Sequence, residues 1–168
     1  MSEMLNIFER AADHEHIDDR VALPFDRRQK SRLRVTLQSG QEAALLLERG
    51  TILRGGDCLR AEDGRIIEVL AADQPVMDVT APDAATLTRA AYHLGNRHVP
   101  LQVGDGWLRL EQDHVLKDML LGLQVTVREL QAPFEPEAGA YGGGHRHHHG
   151  DDAGENLRPP TRLKRHAG

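Results

Sequence analysis

Pro75-Val76-Met77-Asp78-Val79-Thr80, then Ala81-Pro82-Asp83, then the run Ala84 to Leu94: this change of rhythm decides the fold. Val76 and Val79 mark a strand, and Ala81-Pro82-Asp83 supplies a helix start. Leu87, Ala90, Ala91 and Leu94 recur at the spacing of an amphipathic helix. Gly95-Asn96 tolerate a left-handed backbone and are expected to end that helix. Beyond it, Val99 to Val103 and Trp107 to Leu110 flank Gly104-Asp105-Gly106, which reads as a hairpin loop. Asp113 can cap a second helix whose Val115, Leu116, Met119 and Leu120 share one face, with Gly122 closing it. Gln124 to Leu130 then alternates as a last strand. The order is βαββαβ, the ferredoxin-like arrangement, over residues 75–134.

Upstream, residues 1–74 carry strand signals instead. Leu5-Asn6-Ile7-Phe8 alternates, and Val21 to Phe25 is extended, with Pro24 confining it to an edge or an end. Leu33 to Leu37 alternates, turns at Gln38-Ser39-Gly40-Gln41 and returns as Glu42 to Leu47. Arg65 to Ala71 is another strand, and Cys58 has a strand-like setting. A small β domain is expected here. Downstream of Pro133 few apolar residues remain, so residues 135–168 are expected to form a disordered, histidine-rich tail. The predicted class is α+β.

Composition narrows the function. The chain has 168 residues and a net charge of -5, which argues against nucleic-acid binding through a broad basic face. No run approaches the ~20 apolar residues of a membrane helix, so no membrane association is expected. The single cysteine, Cys58, has no internal partner, which points to a reducing, cytoplasmic setting. No phosphate-binding loop or dinucleotide fingerprint is present. The basic stretch Arg27-Arg28-Gln29-Lys30-Ser31-Arg32 could meet an acidic partner or RNA. Lacking interleaved aromatics, it reads first as a solvated loop face.

Ten histidines are the unusual feature. His145, His147, His148 and His149 follow Gly142-Gly143-Gly144 and are read as metal ligands, because imidazole is largely unprotonated near neutral pH and suits nickel, copper and zinc. His93 and His98 straddle the end of the first helix, and His114 opens the second. On pattern alone each of these three reads first as a capping or surface histidine. His14 and His16 lie among acids in a loop, and His166 ends a basic run.

Several longer stretches carry a resemblance. Tyr92-His93-Leu94-Gly95-Asn96-Arg97-His98-Val99-Pro100-Leu101-Gln102, Asp113-His114-Val115-Leu116 with Met119-Leu120, and Pro133-Phe134-Glu135-Pro136-Glu137-Ala138-Gly139-Ala140-Tyr141 resemble the UreE family of urease accessory proteins, which are nickel metallochaperones. Leu45 to Gly50 and Leu53 to Asp57 add weaker support.

The resemblance implies a non-enzymatic carrier of Ni2+ that delivers the ion to the urease apoprotein complex, with the accessory GTPase UreG as partner. It implies a peptide-binding-like first domain and a homodimer joined through the second domains. His98 matches the histidine that meets its symmetry mate on the dimer axis. His114, beside Asp113, matches a surface metal ligand, although Gln112 stands where some relatives carry a histidine. His93 matches an auxiliary position. Two other classes compete. A histidine-rich metal buffer would lack a dedicated recipient, and a metal-dependent hydrolase would need a fixed shell and a positioned base.

Overall fold

The structure, a computed structural model, describes residues 3–12 and 16–139. His14, the tail histidines His145, His147, His148 and His149, and His166 lie outside the described residues. The fold is mixed α and β, with two sheets and three helices among the described residues.

The first sheet uses β1 (Leu5–Arg10), β2 (Asp19–Leu23), β3 (Arg32–Thr36), β4 (Glu42–Leu46), β5 (Cys58–Ala61) and β6 (Ile66–Ala71). Its order is β2-β6-β5-β1-β4-β3. The β3–β4 hairpin falls where the alternation places it, turning at Gly40, whose φ of 92° is open to glycine at no steric cost. Pattern alone did not show the long-range pairings: β1 runs parallel to β4, and β2 runs parallel to β6 at the sheet edge. Period-two alternation turns Ile7, Leu45, Leu59, Ile67 and Val69 inward, where each is fully buried together with Leu53.

The second sheet uses β7 (Gln74–Thr80), β8 (Gln102–Val103), β9 (Leu108–Glu111) and β10 (Thr126–Ala132), in the order β10-β7-β9-β8. Every neighbouring pair is antiparallel. Helices α2 (Ala84–Asn96) and α3 (His114–Gly122) connect them. Met77, Val79, Leu108 and Leu110 share a core with Ala90, Leu94 and Leu120 of the helices. The caps are those the sequence offers. Asp83 accepts from the Thr86 amide at 2.7 Å, and Asp113 accepts from the amides of Val115 and Leu116 at 2.8 and 2.9 Å.

Three expectations need correction. The first helix does not stop at Leu94; it runs through Gly95 and Asn96, and the left-handed residue is His98, at φ 57°. The extended stretch Val99 to Val103 is reduced to Gln102–Val103, since the turn after α2 and Pro100 occupy its first half. The basic stretch is not a wholly solvated loop. Phe25–Arg28 is one helical turn, α1, that starts after Pro24 and sends Arg28 into the interior at 0% exposure.

Arg28 sits where the two sheets meet. Its guanidinium donates to the carbonyls of Leu23 (3.0 Å), Leu53 (3.1 Å) and Phe134, and pairs with the Glu135 carboxylate. Burial pulls the Arg28 pKa below its ordinary value, and the Glu135 charge opposes that fall. Phe25 and Phe134 meet edge to face at 5.5 Å beside Val76 and Ala132. Glu135 also accepts from the Gly55 amide, and the Arg54 side chain donates to the Pro136 carbonyl at 2.6 Å. The chain therefore stays on this body through Glu137, three residues past where loss of apolar pattern suggested a tail.

Candidate metal centre

The end of α2 positions His98. Its amide donates to the Gly95 carbonyl at 3.0 Å, and the Val99 amide reaches back to Leu94 at 3.3 Å. These two bonds are the 5→2 and 6→1 pair of a Schellman motif, and Val99 packs on the core that buries Leu94, as that motif favours. His98 thus holds the left-handed position that glycine usually takes, at a cost of roughly 1 kcal/mol for a side chain with a Cβ. The cost fixes where the imidazole leaves the backbone. It is exposed, and it lines a groove of about 440 Å³.

Glu111, Gln112, Asp113 and Leu116 form the opposite side of that groove, with Pro100 beside His98. Alternation along β9 explains Glu111: Leu108 and Leu110 turn into the core, so Arg109 and Glu111 turn away from it. The Gln112 amide is tied to the Val76 carbonyl at 3.2 Å. Asp113 commits Oδ1 to the α3 amides, while Oδ2 takes neither bond. The groove is thus lined by one imidazole residue, two carboxylate residues and Arg97, and the Glu111 carboxylate accepts from the Gln74 side-chain amide at 3.3 Å. Imidazole nitrogen and carboxylate oxygen are donors that suit a first-row divalent ion. Among the described residues, no group of three or more His, Cys, Asp or Glu is close enough to hold an ion by itself.

The other predicted ligands are placed apart. His93 lies in the last turn of α2, exposed, with its ring edge to face against Tyr92 at 5.4 Å. His114 is the first residue of α3, exposed and absent from the groove lining. Motif reading named His98, His93 and His114 and set Asp113 beside His114; the groove lining adds Glu111, which it did not name. The signal was available in the alternation Leu108-Arg109-Leu110-Glu111, which ends beside Gln112. Also missed was the last anchor of the body: the Glu137 amide donates to the Leu101 carbonyl at 2.8 Å, three residues from His98.

No helix among the described residues is long and apolar enough to cross a membrane. The model of the UreE urease accessory protein N-terminal domain matches residues 4–72, and that of the C-terminal domain matches residues 74–163. A urease accessory protein UreE of Burkholderia thailandensis is 60% identical over 129 residues, covering 77% of this chain and 61% of the relative. One from Cupriavidus pinatubonensis is 61% identical over 130 residues, covering 77% of this chain and 59% of the relative. The match thus spans about three fifths of the length of these relatives. With family models covering both sheets and the His98 groove, the chain belongs to the UreE family of urease accessory proteins.

Proposed function

We propose that this protein is a nickel metallochaperone of urease maturation: a carrier, not a catalyst, that takes Ni2+ as cargo and passes it in the cytoplasm to the urease apoprotein complex through UreG. The observation that carries the reading is His98 itself. A strained left-handed backbone sets this residue on an open groove lined by carboxylate residues that, among the described residues, form no closed set of ligands. Such a centre can load and release an ion, because no complete shell has to be dismantled.

In this reading the second sheet and its helices are a ferredoxin-like module that forms the homodimer. An isologous contact at the groove sets two copies of His98 face to face, doubling the ligands from one residue. His93 and His114 are peripheral ligands. His145, His147, His148 and His149 supply further imidazoles; His145 is eight residues beyond Glu137, a tether of at most about 28 Å when fully extended. Copper and zinc compete for the same donors. The residues before β7 serve as a peptide-binding-like domain.

The test is calorimetric nickel titration of the full chain and of His98→Ala, His93→Ala and His114→Ala, with mass followed by light scattering. His98→Ala is expected to lose the tightest site while remaining dimeric, and the other two to lose far less. First-ion binding by His98→Ala as tight as in the parent would overturn the reading. Ion release at the same rate with and without the UreG–urease complex would mark a buffer instead.

A further inference from the structure

The basic stretch that begins at α1 has one member buried, and the metal reading uses none of the rest. From Arg27 to Gln41 the chain carries five basic residues and no acidic one, within a protein of net charge -5. With Arg28 withdrawn into the interior, Lys30, Arg32 and Arg34 are exposed along the start of β3, and Arg49 joins them from the turn after β4. Among the described residues, none of these four side chains takes part in an ion pair. Lys30, Arg32 and Arg49 line a hollow of about 580 Å³, with Glu48 as its one acid.

A second hollow, of about 250 Å³, adjoins the first and shares Leu47 and Glu48 with it; Glu9 and Arg10 also line it, paired with Arg60 and Asp57. Phe8 lines this one at 50% exposure, and Ile52, 41% exposed, follows Thr51 on its rim. Among the described residues β3 is the last strand of its sheet, so none of their strands flanks Arg32 and Arg34 on that side. Arginines without ion-pair partners beside an uncovered aromatic ring are the residue types by which protein–protein contacts differ from ordinary surface.

We infer that this end of the first sheet, Lys30, Arg32 and Arg49 with Phe8 alongside, is a docking surface for an acidic segment of a partner protein, which sets carboxylates over the cations and an apolar side chain against Phe8. The inference rests on the peptide-binding-like reading of the first domain, to which charge and exposure at the first sheet give a place and a ligand chemistry, and it stands independently of the nickel site. A protein fits better than a nucleic acid. The negative charge of the whole chain opposes a long polyanion, and a single exposed ring gives successive bases no stacking platform. Edge strands commonly carry Lys and Arg only to discourage pairing with other chains, but that role does not call for an exposed Phe8 beside them.

The test uses the full chain and a fluorescein-labelled peptide of Asp and Glu around a central Leu, followed by fluorescence polarisation. Controls are the same peptide with Ser for each acid and an oligouridine of equal charge. The acidic peptide is expected to bind, to weaken with added salt, and to lose roughly tenfold in affinity in R32E/R49E. R32Q/R49Q, which removes charge without reversing it, is expected to lose less, and Phe8→Ser to weaken binding by a few-fold (~3) at fixed salt. R89E, on the exposed face of α2, is expected to bind as the parent does. Binding by R32E/R49E equal to the parent, an equal loss in R89E, or tighter binding of oligouridine than of the peptide would each overturn the inference.

Discussion

Replacing Arg28 by Met keeps most of the side-chain volume and removes the one charge that is fully buried among the described residues. Four partners lose their donor at once: the carbonyls of Leu23, Leu53 and Phe134, and the Glu135 carboxylate. Glu135 is 31% exposed and keeps the Gly55 amide, so it recovers part of its solvation. The carbonyls in the junction recover little. Removing one member of a buried ion pair costs about 3–5 kcal/mol, which fits three carbonyl bonds at roughly 1 kcal/mol each plus a partly screened charge pair. A loss of about 4 kcal/mol is therefore expected for Arg28→Met. The R28M/E135Q double variant is expected to be less destabilised than the two single changes added together, because the unpaired carboxylate is then gone. Urea denaturation followed by far-UV circular dichroism gives the free energies. Hydrogen exchange at the Gly55 and Glu137 amides reports whether the 134–137 segment has come loose. A cost for Arg28→Met below about 1 kcal/mol, with both amides still protected, would refute the assignment of Arg28 as the link between the sheets.

Three further outcomes follow from the geometry. His98→Gly is expected to melt higher than His98→Ala, by about 1 kcal/mol in stability, because only glycine takes φ 57° without strain; calorimetric melting of the two apo variants checks this. A chain cut after Tyr141 is expected to keep the parent's unfolding transition while binding fewer nickel ions. A cut before Pro133 removes Phe134 and the Glu135 contact and is expected to lose the cooperative melt. Asp83 has its pKa held below the ordinary 3.8, chiefly by the Thr86 backbone amide and then by the Thr86 side chain. Its contribution to stability is complete above that ordinary value and is lost as pH falls through the lowered value in the folded chain. Acid titration of Asp83→Asn is expected to show a shallower fall in helicity below about pH 4.

Legibility differed by the range of the force involved. Local signals were readable. The alternation of Leu33 to Leu37, the helical spacing of Leu87 to Leu94, and the caps Asp83 and Asp113 each act over a few residues, and all appear where the pattern puts them. The α2 terminus was misplaced because Gly95 and Asn96 are the usual left-handed residues, whereas the Val99–Leu94 contact sets the turn two positions later. The parallel pairing of β1 with β4 leaves no local trace, because it joins residues far apart in the chain. Arg28 was read by its type, and nothing near it announces Glu135, which is 107 residues away. At the candidate site, motif reading named His98 and set Asp113 beside His114, while the strand geometry adds Glu111 to the groove that His98 and Asp113 line.

The parallel pairings also set an order of events during synthesis. Leu5 pairs with Ala43 and Asp19 with Ile67, so β2 leaves the ribosome 48 residues (67 − 19) ahead of the strand that covers its edge. At translation speeds of ~5–20 residues per second, that is a wait of roughly 2–10 s with Val21 and Leu23 still in water. The charge of Arg28 waits longer still, since Phe134 and Glu135 are among the last parts of the body to emerge. A nascent chain held short of that point has all the strands of its first sheet, but the arginine at the junction still lacks its carboxylate.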